Sequence, residues 1–168
     1  GGGWYNTVGI FLGDAQLVNS DVGFNQVQAD GGGIYNTGTG VQVNSSAVRA
    51  NQAITNGGGI YNGGELQIFT SDVLTNSATS GGGAYSIGSA IIFFGSNLQA
   101  NQAISAGGGL YNASGFASVN NGSVLQANQA ITGGGAYNAA NMNFNQSTVF
   151  SNTASVGGGA YNVANMNI

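Results

Sequence analysis

Six side chains carry formal charge in this chain of 168 residues, the acids Asp14, Asp21, Asp30, Glu65 and Asp72 and the base Arg49, so acid–base chemistry would have to come from them. Hydrolysis of a glycosidic bond needs two carboxyl groups about 5 to 9.5 Å apart. Asp21 and Asp72 are the only acids in equivalent surroundings, each following the serine of a Ser-x-φ-x-x-Asn phrase in which φ is apolar. Ala47 holds the same position between them, which sets the two acids two repeats apart, at the far edge of that range. A lyase would want acidic metal ligands and a basic proton acceptor, whereas Arg49 stands among Val48, Ala50 and Asn51. The chain has no histidine and no cysteine, which removes the commonest neutral metal ligand and every thiolate. The charges read as solvated surface. No catalytic residue, cofactor or metal ligand is expected, and the chain is read as not an enzyme.

Tyrosine and asparagine are the other side chains whose placement bears on function. All seven tyrosines, Tyr5, Tyr35, Tyr61, Tyr85, Tyr111, Tyr137 and Tyr161, follow Gly-Gly-Gly by one residue. They alternate with Trp4, Ile34, Ile60, Ala84, Leu110, Ala136 and Ala160, so one set faces a core and the other faces out. The aliphatic set is placed inward and the tyrosines outward, as a stripe that serves either as structural packing or as a surface for carbohydrate or another partner. Asn25, Asn51, Asn76, Asn101, Asn128 and Asn152 form one expected structural ladder. Asn6, Asn36, Asn62, Asn112, Asn138 and Asn162 form a second, with Ser86 substituting once. Asparagine tolerates left-handed backbone, and its amide can bond to corner groups and to equivalent amides above and below.

The elements that must position these residues follow from a fixed period. Gly-Gly-Gly begins at residues 1, 31, 57, 81, 107, 133 and 157, a repeat of 24 to 30 residues. The Ser-x-φ-x-x-Asn phrase precedes each later triplet, with Val22, Val48, Val73, Leu98, Leu125 and Val149 as its apolar positions. Between the two phrases lies an alternating φ-x-φ segment: Val41 and Val43, Leu66 and Ile68, Ile91 and Phe93, Met142 and Phe144, Met166 and Ile168. The fifth repeat offers Ala117 and Val119 and reads as carrying a one-residue bulge. Three short strands per repeat cannot close a core alone, but stacked coils about 4.8 Å apart can. The sequence therefore predicts an all-β fold, a right-handed parallel β-helix (β-solenoid) of about six and a half coils, over a single domain spanning 1–168. The φ-x-φ pairs and the valine–leucine column should form its core. The extra residues 9–14 of the first repeat should protrude as a corner loop.

Composition narrows the function. With one base against five acids there is no electrostatic footprint for nucleic acid, and no apolar run reaches membrane-spanning length. Calcium-binding nonapeptide repeats and the regular threonine array of an ice-binding solenoid are both missing, and four Asn-x-Ser sequons are expected by chance in so Asn- and Ser-rich a chain. Only 4% of residues are charged, and a near-neutral rod with repetitive faces is suited to packing against copies of itself. The chain opens at Gly1 in phase with the repeat, stops mid-repeat at Ile168, and has no polar cap at either end. It is therefore expected to be a piece of a longer or polymerised chain, with copies meeting head to tail or laterally.

Gly58-Gly59-Ile60 and Val48-x-x-Asn51 resemble the Gly-Gly-Ala-Ile and Phe-x-x-Asn repeats of chlamydial polymorphic outer-membrane proteins and related bacterial surface solenoids. Valine or leucine replaces the phenylalanine, and the third residue of the first motif is Gly or Ala. The resemblance implies a β-helical scaffold at the cell surface or outside the cell. It also implies a structural, fibre-forming role or an adhesin-like one, with self-copies or carbohydrate as partners.

Overall fold

Alternating apolar residues, cut every few positions by residues in left-handed backbone, give short strands that must pair with the next repeat. In the computed structural model, which describes residues 2–6 and 15–168, the chain is all-β and winds into a parallel β-solenoid of about six turns. The tyrosine sheet has seven strands, one per coil from Trp4–Asn6 to Ala160–Asn162. The φ-x-φ segments form a second seven-stranded sheet, Gln16–Val18 to Asn165–Asn167, and the Ser-x-φ-x-x-Asn phrases a six-stranded third, Asp21–Gly23 to Thr148–Phe150. Equivalent residues lie opposite one another, as in Ile34 with Ile60, Leu66 with Ile91 and Val73 with Leu98.

The coil has four strands where the sequence predicted three. Gln26–Val27, Gln52–Ala53, Ser77–Ser80 and Gln102–Ala106 form an additional sheet, which single bridges through Gln129 and Thr153 carry into the later coils. The residues it buries are small alanines, Ala53, Ala78 and Ala103 at 3–4% exposure and Ala106 at 6%. Ala53 and Ala103 each stand between a glutamine and an outward isoleucine, and Ala78 between Ser77 and Thr79, so the segment shows no inward apolar alternation.

The core lies where the expected columns place it. Val48, Val73, Leu98 and Leu125 are fully buried together with Val43, Leu66, Ile91 and Phe93, while Val22 and Val149 pack at its margins. Ile168 is the exception, 98% exposed, because the last strand ends at Asn167 and gives it no ladder position. The fifth coil carries no bulge in this sheet: Phe116–Asn120 pairs continuously with Ala90–Phe94. Its additional residue sits in the following corner, where Asn121 and Gly122 both have positive φ. The expected loop at 9–14 lies outside the described residues.

Left-handed backbone recurs at two further corners, and it falls on the residue before the laddered side chain rather than on the asparagine itself. Ala50, Thr75, Ala100, Ala127 and Ser151 take φ of 51–54° immediately ahead of Asn51, Asn76, Asn101, Asn128 and Asn152. The asparagines are thereby freed to point inward. In the triplets the glycines do different jobs. Gly81 has φ +63°, whereas Gly82 lies so close to the strand that closes its own coil that a Cβ would fall 2.4 Å from the Gln102 carbonyl oxygen.

Candidate functional site

The tyrosine stripe follows directly from the alternation. Ile34, Ile60, Ala84, Leu110 and Ala136 are fully buried, so their neighbours Tyr35, Tyr61, Tyr85, Tyr111 and Tyr137 lie on the opposite face. Parallel in-register pairing then stacks the rings, with centroids 4.8, 5.9, 4.9, 4.5 and 5.4 Å apart from Tyr35 to Tyr161. Ring faces are turned toward one another, so the stripe offers mainly edges and hydroxyls. That arrangement suits packing better than it suits the stacking of sugar rings on exposed aromatic faces. Tyr5 pairs with Tyr35 through the backbone register.

Burial raises the pKa of Tyr61, Tyr85 and Tyr111 above the ordinary phenol value; neighbouring phenols add to this for Tyr61 and Tyr111, and the Asp30 charge adds for Tyr61 and Tyr85. A raised folded-state pKa means stability that is fully present below about pH 10 and is lost as the pH rises through the folded value. Alkaline titration should therefore show tyrosinate absorbance rising later than in free tyrosine and coinciding with loss of β structure. Ionisation at the ordinary value with the fold intact would contradict the stack.

The first asparagine ladder is hydrogen-bonded throughout the middle coils and the second is broken once. In the first, Asn51 Nδ2 donates to Asn76 Oδ1 at 3.1 Å and to the Val22 carbonyl at 2.8 Å, and the Asn51 backbone N–H donates to the same Asn76 oxygen at 2.9 Å. The pattern repeats through Asn76, Asn101 and Asn128. A serine ladder that the sequence did not suggest runs beside it, with the backbone N–H groups of Ser46, Ser71 and Ser96 donating to the hydroxyls of Ser71, Ser96 and Ser123. The constant spacing of Ser and Asn from repeat to repeat is the signal that points to it. The added residue at Asn121–Gly122 ends this series: Ser123 N–H turns to the Asn120 carbonyl, and Ser147 Oγ is left buried without a partner.

The second ladder has one fault. Asn36 Nδ2 donates to Asn62 Oδ1 and Asn112 Nδ2 to Asn138 Oδ1, but Ser86 is too short to donate to Asn112, whose Oδ1 is buried and unpartnered. Ser86→Asn should supply the missing amide and raise stability by about 1–2 kcal/mol, read as a higher denaturant midpoint. An unchanged or lower midpoint would show that the fourth coil cannot accept the amide.

The charges do not converge as a catalytic set. Arg49 is paired rather than free: its guanidinium forks onto Asp21, with Nε 2.9 and 3.0 Å from the two carboxylate oxygens, and its cationic carbon lies 4.8 Å from the Phe24 ring centroid. Gly23, opposite Arg49 in the neighbouring coil, leaves room for that fold-over. Asp21 and Asp72 line one shallow depression, with Ala47 between them, but Asp72 accepts from Asn97 at 2.8 Å and Asp21 is held by Arg49. Asp30 accepts from Thr55 and from Asn56. Among the described residues no three acids, histidines or cysteines gather as metal ligands, and no helix is long and apolar enough to cross a membrane. Asp14 lies outside the described residues.

Fold and surface together define a parallel β-solenoid held by side-chain ladders. No family model, no curated protein and no solved structure matches the chain.

Proposed function

We propose that the chain is a structural, self-assembling β-solenoid, a fibre or filament component outside the cell or at its surface. The observation that carries this reading is the surface itself: it is repetitive and sparsely charged, with Ile54, Ile104 and Ile131 at one repeat position exposed at 50, 70 and 57%. A monomeric rod gains solubility from dispersed charge, and this one has little. Electron microscopy of the concentrated chain should show filaments. A chain that stays monomeric at every concentration, with no filaments, would overturn the reading.

An adhesin or carbohydrate-binding role for the tyrosine stripe is the second reading, favoured by the unbroken row of phenols from Tyr35 to Tyr161. Retention on immobilised glycans that is lost in Tyr111→Ala would support it, and retention unchanged in that variant would remove the stripe from consideration.

A further inference from the structure

The additional sheet carries a repeated phrase whose glutamine and isoleucine the ladders do not use. Asn-Gln-Ala-Ile occurs at 51–54, 101–104 and 128–131, and in each the alanine is buried while glutamine and isoleucine are exposed. The third coil interrupts the series with Ser77, Ala78 and Thr79. Ser77 pairs with Gln52 on one side and Gln102 on the other, so two short side chains lie between two long rows. The result is a depression of about 360 Å³, and none of its lining residues, Gln52, Ile54, Ser77, Thr79, Gln102 and Ile104 among them, is charged.

Knob and hole are adjacent, and this decides the partner. A two-fold axis along the strand direction, placed between the third and fourth coils, brings the third coil of one copy opposite the fourth coil of another. Ile104 of each copy then enters the hole over Ser77 and Thr79 of the other. The same rotation sets Ile54 against Ile131 and Gln52 against Gln129, amide facing amide. We propose that this glutamine–isoleucine face is the lateral contact between antiparallel copies of the chain. The proposal rests on the self-assembly reading and names the surface through which it would act. A second copy has the same axial repeat and the complementary knob and hole, which lets four successive rows match at once. The patch measures roughly 20 Å by 13 Å, well below a standard protein interface, so a single pair is weak and the contact gains strength where copies repeat it along a filament.

The arrangement makes a swap test possible. Thr79→Ile fills the hole and Ile104→Thr removes the knob; both residues are exposed, so the fold should tolerate either. Together they exchange knob and hole, and the two-fold relation restores the fit. Sedimentation equilibrium at chain concentrations up to about 1 mM should show the native chain pairing, each single variant pairing about tenfold more weakly, and the double variant recovering. Single variants that pair as the native chain does, a double variant no better than the singles, or a native chain monomeric throughout would each overturn the proposal. Microscopy of the same samples separates the two ideas: filaments without lateral pairing defeat this face alone, whereas pairs without filaments support the face and defeat the filament reading.

Discussion

Gly82→Ala is expected to destabilise the solenoid by at least about 4 kcal/mol, the range reserved for substitutions that force backbone apart. The added Cβ would lie 2.4, 2.5 and 2.7 Å from the carbonyl oxygen, carbonyl carbon and nitrogen of Gln102, all backbone atoms of the strand that closes the same coil. No rotamer can relieve such a contact. The triplet and that strand must separate locally, which also strains the bonds from Gly82 and Gly83 N–H to the Gly107 and Gly108 carbonyls of the next coil. Gly63→Ala is the control, because its Cβ would approach nothing closer than the Thr37 methyl at 3.3 Å. Chemical denaturation should show Gly82→Ala losing most of a domain's usual margin of 5–15 kcal/mol, and Gly63→Ala shifting little. Equal effects would mean that the triplet serves chain flexibility rather than coil spacing.

The triplet also shows what sequence can and cannot convey in a repeat fold. Its period fixes the stacking, because a segment too short to bury its own apolar side must borrow a neighbour, and Val73, Leu98 and Leu125 therefore fall where alternation places them. The fourth strand is hidden in the sequence because what it buries is only alanine, such as Ala53, which leaves almost no hydropathy pattern. Left-handed backbone at Ala50 and Ala100 is equally silent, since alanine is no turn former and takes φ of 51° and 54° only because the stacked coil imposes it. The pairing of Arg49 with Asp21 needed the missing side chain of Gly23, a three-dimensional fact two columns away. The tyrosine column was readable as a column, but not the turning of its ring faces onto one another, which depends on rotamers shared along the stack.

Asn76→Leu should cost about 3–5 kcal/mol although it keeps the branched outline of the side chain and adds apolar surface. Asn76 is fully buried at the centre of its ladder, where it accepts from the Asn51 backbone N–H at 2.9 Å and from Asn51 Nδ2 at 3.1 Å. It donates to the Val48 carbonyl at 2.9 Å and to Asn101 Oδ1 at 3.1 Å. Leucine removes all four bonds at once and strands Asn51's N–H groups and the Val48 carbonyl away from water. Each orphaned group costs about 1–3 kcal/mol, and the gain from burying leucine, at most about 3 kcal/mol, offsets only part of the sum. Asn76→Asp separates polarity from shape. Ionised, it can still accept from Asn51 but faces the Val48 carbonyl and Asn101 Oδ1 with negative charge, so its own pKa in the folded chain is expected to be raised. Stability of that variant should then be greatest in acid, below the ordinary aspartate value near 4, and fall as the pH rises through the folded value. Denaturation of Asn76→Leu matching the native chain, or of Asn76→Asp independent of pH, would show that the ladder is a consequence of the stacking and not one of its causes.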